Sequence, residues 1–421
     1  MNNLEKEIQK LAQDSRRASR QLAMMSAAQK NRILRAMAGG LRTGMRVILK
    51  ANARDMKAAK TKRIGSAMLD RLMLDIRRVQ EMAAGLEEVA RLPDPVGGVI
   101  RSWTAAQKIK IAKVRVPIGV IGIVYEARPN VTADSAGLCL KSGNSVILRG
   151  GSEAIYSNRA IHRQLVKAGR RQGLPLGAIQ LVQTTDRRAV ELLLGQTGVV
   201  DLVIPRGGEG LIRKVVETAR VPVIKQYKGV CHTYVDAQAD LSMAENIAFN
   251  AKVQRPGVCN AMETLLVHRK VASRFLPKMA DRFAQAGVEL RVDSTARKLL
   301  KGRRVKAATA KDWPMEYLNL TLAVKVVVSL DEAIAHIQTH GSGHSDAIVT
   351  NSKKNAEAFL DRVDSACVYV NASTRFTDGA QFGLGAEVGV STDKIHARGP
   401  MGLEGLTTYK YVIHGKGQVR K

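Results

Sequence analysis

The sequence predicts an α/β protein built from two parallel-sheet halves. Three observations carry that prediction. From Val120 onward, short apolar runs alternate with stretches of helical spacing. Glycine turns stand between run and helix, at Arg149-Gly150-Gly151 and at Arg206-Gly207-Gly208. A second series of the same kind opens at Cys231, so the halves meet near residue 229. Strands alternating with helices are the pattern of βαβ units.

Taken in order, residues 4–60 read as helices, because Leu, Met and Ala recur at three- and four-residue spacing among charges. Ser26 reads as an N-cap and Gly39-Gly40 as a break. Residues 91–98, with two prolines and two glycines, form a loop. Residues 108–125 are extended, with a turn near Pro117. A helix is expected over 131–141, strands over 145–148, 179–182 and 200–204, and helices after Ser152 and Gly208. In the second series, strands are expected over 232–235, 263–267, 325–328, 347–350 and 366–370. Helices follow Asp240 and fill 270–286, 331–340 and 353–361. The tail, residues 409–418, reads as a lone exposed strand, an edge that calls for a partner such as another subunit.

Composition narrows the function. The chain has 421 residues, 45% of them hydrophobic, so it can fill more than one core. Lys and Arg outnumber Asp and Glu by 67 to 37, a net charge of +30. The excess is spread in short groups such as Arg16-Arg17 and Lys353-Lys354, with no basic arm. Aromatics are only 4%, which leaves few platforms for base stacking. Nucleic acid is therefore not expected as a partner. The most apolar run, 116–125, is far shorter than the ~20 residues of a membrane helix, so no membrane is expected and the cytoplasm follows. The four cysteines form no CxxC pair, and His340 and His344 bracket a loop, so no metal is expected.

Several residues could carry chemistry. The two Arg-Gly-Gly loops could bring backbone N–H groups and a guanidinium to a phosphate, or could be plain turns. Cys259, in Gln254-Arg-Pro-Gly-Val-Cys-Asn-Ala, sits in a Pro-Gly loop before a strand. It is either a presented nucleophile or a structural thiol. Cys139 and Cys367 read as buried core residues. Asn371-Ala-Ser-Thr-Arg-Phe-Thr-Asp-Gly and His396-Ala-Arg-Gly-Pro-Met-Gly-Leu are polar loops of the kind that bind ligands.

These motifs, with Tyr125-Glu-Ala-Arg-Pro-Asn-Val-Thr, Leu148-Arg-Gly-Gly-Ser-Glu-Ala and His336-Ile-x-x-x-Gly-Ser-x-His-Ser-Asp-x-Ile, closely resemble the γ-glutamyl phosphate reductase family. That family belongs to the aldehyde-dehydrogenase superfamily, and the likeness runs from about residue 5 to 419. It implies an NADPH-binding domain (1–106 and 118–229), a catalytic domain (230–390) and a small β oligomerisation element (107–117 and 406–421). It further implies NADPH-dependent reduction of L-glutamyl 5-phosphate to L-glutamate 5-semialdehyde through a cysteine thioester, the second step of proline biosynthesis from glutamate. Residue by residue, Cys259 matches the nucleophile and Asn130 the oxyanion asparagine. Arg149, Gly150, Ser152, Arg206, Gly207 and Gly208 fall on the cofactor side. Ser152 stands where NAD-preferring relatives carry a glutamate. Glu316 matches the glutamate on the nicotinamide ribose. Arg128, Arg375 and Arg398 are candidates for holding the substrate's carboxylate or phosphate. The resemblance points to a homo-oligomer and leaves open an association with glutamate 5-kinase. No carboxylate stands in Val223-Ile-Lys-Gln-Tyr-Lys-Gly, where relatives that release free acids keep their hydrolytic glutamate.

Overall fold

The computed structural model describes residues 2–420. The chain forms two compact units, Met1–Lys225 with Gly383–Gly389 and Met401–Lys421, and Gln226–Phe382 with Val390–Pro400. The first opens with five helices: α1 (Asn3–Leu22), α2 (Ala27–Thr43), α3 (Met45–Thr61), α4 (Ser66–Leu72) and α5 (Ile76–Arg91). Ser26 caps α2 by accepting the Gln29 N–H, with a reciprocal bond from the Gln29 side chain. The expected break at Gly39-Gly40 is absent, and α2 runs through both glycines. Gly40 instead packs against a later helix so closely that a Cβ there would stand 2.7 Å from Ala168 Cβ. Its small size serves helix contact, not chain reversal.

After β1 (Val99–Thr104) and β2 (Lys110–Pro117), the parallel sheet begins with β3 (Val120–Tyr125). There follow α6 (Asn130–Lys141), β4 (Ser145–Gly150), α7 (Ile155–Arg170), β5 (Ile179–Leu181), α8 (Arg188–Leu194), β6 (Leu202–Arg206) and α9 (Glu209–Thr218). The strand order is β5-β4-β3-β6, all parallel. Every residue of β3 and β4 is buried, as expected of strands covered on both faces. Ile8 and Ala12 of α1 close one face over Val120, Val124 and Val203. Gly143, with φ +77, ends α6 in the left-handed conformation that returns the chain to β4.

The second unit holds β7 (Cys231–Val235), α10 (Leu241–Val253), β8 (Met262–His268), α11 (Arg269–Gln285), β9 (Glu289–Val292), α12 (Ser294–Leu299), β10 (Lys306–Ala307), β11 (Thr321–Val327), α13 (Leu330–His340), β12 (Ser345–Val349), α14 (Lys353–Arg362) and β13 (Cys367–Val370). Its parallel sheet has the order β10-β9-β11-β8-β7-β12-β13. Asp240 caps α10 through the Met243 N–H, as its position before the apolar spacing predicts. Phe275, Met279 and Phe283 of α11 pack on Leu265, Leu290 and Leu322. A two-residue pair, β14 (Val390–Ser391) and β15 (Gly399–Pro400), completes this unit.

The tail is not a lone strand. β16 (Thr407–His414) pairs antiparallel with β2 over eight residues, from Thr407↔Pro117 to His414↔Lys110. With β1 it makes a three-stranded sheet of order β1-β2-β16. The Tyr411 ring meets Trp103 at 6.1 Å, and the Lys113 ammonium stands 3.6 Å over the Tyr409 ring. The outer edge of β16 carries exposed Tyr409, Tyr411 and Ile413. Truncation after Leu406 uncovers β2 and should increase aggregation by light scattering. A truncated chain with unchanged scattering and melting temperature contradicts this role.

Candidate active site

Cys259 lies in the loop that joins α10 to β8. Pro256 and Gly257 turn the chain there, and Cys259 is half-buried. Three groups of contacts hold the loop. The buried Cys231 thiol donates to the Cys259 carbonyl oxygen at 3.2 Å. Burial, then the nearby charge of Asp346, pushes that thiol well above its ordinary range, so Cys231 stays a protonated donor. Gly229 approaches so closely that any Cβ would collide with the Cys259 carbonyl. On the other flank, Asn260 donates to Thr377 O at 2.7 Å and Thr374 Oγ1 donates to Asn260 O at 2.7 Å. Arg375 donates to Asn260 Oδ1 and, at 2.7 Å, to Gln254 Oε1, clamping both ends of the loop. Burial and the neighbouring Arg255 lower the Arg375 pKa, while the Cys259 charge pulls it back. Arg375 is thus a cation that faces the thiol and fixes its loop.

Glu316 converges on the same place. Its Oε1 accepts the Gly229 N–H at 2.8 Å, so one glycine touches both the Cys259 carbonyl and the Glu316 carboxylate. Two residues on, Leu318 takes φ +55, uncommon for a branched side chain, and its N–H donates to Glu263 Oε1 at 3.1 Å. Glu263 is wholly buried and paired with Lys252 at 2.6 Å. Burial raises its carboxyl to about 7 against the pull of that lysine. Lys252 and Glu263 flank the thiol loop in sequence, so this pair ties the Cys259 loop to the Glu316 loop. Neither residue drew attention in the sequence, because nothing local marks a buried ion pair.

Arg398 is committed elsewhere. It donates to Asp364 Oδ1 and to Asp364 O, both at 2.7 Å, and Lys394 shares that carboxylate. It braces the β14–β15 segment. Arg128 is half-buried in the β3–α6 loop of the first unit, beside Ala127, whose φ is +40.

In the first unit, Asn130 opens α6 and its Nδ2 donates to Asp134 Oδ2 at 2.8 Å. Asp134 sits four residues on, the same helix face, a spacing readable in the sequence but missed. Desolvation raises the Asp134 carboxyl to about 6, offset by the Asn130 bond and by Arg206. A carboxylate acceptor fixes which end of the Asn130 amide points at it, leaving the second N–H for another oxygen.

The Arg149 glycine loop borders a pocket of about 420 Å³ at the carboxyl ends of β3 and β4. Arg149, Ser152, Arg187 and Lys214 bring charge and hydroxyl to its wall, and Val190, Leu194 and Leu211 give an apolar slot between α8 and α9. Gly210 borders it with nothing within 4 Å of where a Cβ would stand. A planar base in the slot and phosphates beside the cations would suit a dinucleotide. Four residues of the glycine loops have other neighbours. Gly150 packs against Asn158 and Tyr125 and leaves the wall to Gly151. Arg206 turns toward Asp134 and Gly389 instead of the pocket. The Gly208 N–H is already taken by Glu126 Oε2 at 2.9 Å, and a side chain at Gly207 would strike the same carboxylate.

One parallel-sheet unit with a pocket that could take a dinucleotide, and a second unit that presents a pinned cysteine, are the features of a protein of the aldehyde-dehydrogenase type. The model of the aldehyde dehydrogenase family matches residues 2–297. A γ-glutamyl phosphate reductase of Moorella thermoacetica is 57% identical over 419 residues, 100% of each chain. The crystal structure of γ-glutamyl phosphate reductase from Thermotoga maritima superposes with a TM-score of 0.96 at 46% identity, covering 99% of this chain and 100% of that one. An acetylating aldehyde dehydrogenase from Geobacillus thermoglucosidasius, 17% identical with a TM-score of 0.70, shares the fold over 99% of this chain and 98% of its own. The chain belongs to the aldehyde dehydrogenase family and, within it, to the γ-glutamyl phosphate reductases.

Proposed function

We propose that the protein reduces L-glutamyl 5-phosphate to L-glutamate 5-semialdehyde with release of phosphate, at the expense of NADPH, in proline biosynthesis. The observation that carries the reading is the Cys259 loop, pinned by Cys231, Gly229 and Arg375 in a chain whose full-length relatives bear that activity in their names. The Cys259 thiolate attacks the acyl carbon, and the C–O bond to phosphate breaks with its electron pair, leaving a thioester. The Arg375 cation favours the thiolate and the departing anion. When bound, NADPH supplies the hydride that takes an acyl group to the aldehyde level. Expulsion of the Cys259 thiolate from the reduced carbon then frees the semialdehyde. The resemblance assigns oxyanion stabilisation to the Asn130 amide and the Cys259 N–H, worth about 3–4 kcal/mol per donor in other enzymes. Glu316 is assigned the nicotinamide ribose, for which its second carboxylate oxygen remains while Oε1 accepts the Gly229 N–H. A cytoplasmic homo-oligomer, with the β1-β2-β16 sheet as its contact, completes the reading. The test is NADP⁺ reduction by purified protein with glutamate semialdehyde and phosphate, against other aldehydes. Comparable rates on unrelated aldehydes would overturn the substrate assignment.

Asp134 gives this reading a pH signature. Ionised, it accepts the Asn130 N–H. Protonated, it offers an O–H as well as an acceptor, so either end of the Asn130 amide can face it and the orientation is no longer fixed. Turnover should therefore fall as pH drops through about 6. Asp134→Asn should be slower at all pH by roughly tenfold or more and lose that acid limb. A variant with the parent's acid limb assigns the titration to another group.

A further inference from the structure

We propose that Arg187, not Arg149, recognises the 2′-phosphate of NADPH, so that the loop entering α8 sets cofactor selectivity. The inference rests on the NADPH reading above and assigns it to a residue. From sequence, Arg149 is the natural candidate, but its surroundings exclude it. Its side chain is only 8% exposed, and it donates to Gly150 O at 3.1 Å and Thr185 O at 3.2 Å. It ties the end of β4 to the loop after β5. Burial also works against its charge, while Glu153 stabilises it. Two carbonyls hold its terminal nitrogens and its Nε is buried without a partner, so it is burial that keeps the fork from a dianion at the pocket mouth.

The other charges of the wall are also balanced internally. Glu153 accepts the Ala127 N–H at 2.5 Å and faces Arg149. Lys214 lies 3.6 Å from Glu191. Glu126 holds the Gly208 N–H. Arg187 is different. It borders the pocket, is exposed, and its side chain has no hydrogen-bond or ion-pair partner among the described residues. The adjacent Asp186 does not neutralise it, because Asp186 Oδ1 is taken up by the Arg188 N–H at 2.8 Å. Arg187 is also near enough to Arg149 for like-charge repulsion to depress Arg149 further. A second cation without a counter-ion at one rim of a pocket is unfavourable unless an anion arrives. A phosphate monoester carries about two negative charges and matches a guanidinium fork, whereas a ribose hydroxyl needs neither. Ser152, exposed on the same wall, leaves room for that phosphate and can donate its hydroxyl. The plain alternative is a solvated surface arginine.

The two readings separate in binding experiments on fragments, without turnover. Adenosine 2′,5′-bisphosphate carries the extra phosphate, and 5′-AMP lacks it. By calorimetry on the full chain, the parent should bind the bisphosphate more tightly. Arg187→Ala should weaken bisphosphate binding by roughly 10- to 100-fold and leave AMP within about twofold. Arg187→Lys keeps the charge without the fork and should fall between. Arg149→Ala should weaken both ligands alike, because it loosens the wall they share. Selective loss in Arg149→Ala, or no selective loss in Arg187→Ala, overturns the assignment while leaving NADPH preference in place. Equal binding of the two fragments by the parent overturns the NADPH reading itself, and the assignment with it.

Discussion

Cys259→Ser is expected to lose turnover by at least about a thousandfold while NADPH still binds. Serine keeps the size of the side chain but not its acidity, and a hydroxyl is a poor nucleophile without a base to take its proton. The loop should survive the change. It is held by the Cys259 carbonyl, the Asn260 side chain and the Arg375 fork, none of which involves the thiol. The measurement is NADPH oxidation beside NADPH fluorescence titration and thermal melting. Loss of activity with unchanged cofactor binding and melting is the expected pattern. Turnover within tenfold of the parent removes the thioester from the mechanism.

The second large effect comes from what the Cys259 surroundings lack. The residues 223–229 contain no carboxylate, and Lys228 donates its ammonium to Pro314 O at 2.8 Å. Two carboxylates that hold this region are otherwise occupied: Glu316 accepts the Gly229 N–H, and Glu263 is sealed against Lys252. Neither is placed as a base for water. Run in reverse, the acyl-enzyme should therefore be released by phosphate and hardly by water. Formation of NADPH from glutamate semialdehyde should rise at least tenfold on adding phosphate or arsenate. Ionic strength must be held constant, since a chain of net charge +30 responds to salt alone. Equal steady rates in both buffers mean that a hydrolytic base operates, with Glu316 the first to replace.

Local signals in the sequence proved dependable. Ser26 and Asp240 cap helices because a cap is decided within three residues of chain. Strands β3, β4, β7 and β8 were legible as apolar runs, since both faces of a parallel sheet are covered. What failed was non-local. Gly39-Gly40 looked like a stop, whereas α2 runs through both and Gly40 is a helix contact. β16 looked unpaired because its partner, β2, lies some three hundred residues earlier. The seven-residue α8 escaped notice in the run Val190–Leu194, and with it went Arg187, Val190, Glu191 and Leu194 of the pocket wall. Arg149 was visible as an arginine in a phosphate-type loop, but its burial was not. The Cys231 bond to the Cys259 carbonyl joins β7 to the loop before β8 and leaves no trace in spacing.

The central claim is that Cys259 carries the glutamyl group. The direct measurement is peptide mass spectrometry on enzyme incubated with glutamate semialdehyde and NADP⁺, without phosphate, then quenched in acid. The glutamyl adduct should appear on the peptide containing Cys259 and disappear when phosphate is added before the quench. An unmodified Cys259 peptide, or an adduct on Cys231 or Cys367 instead, would contradict the account.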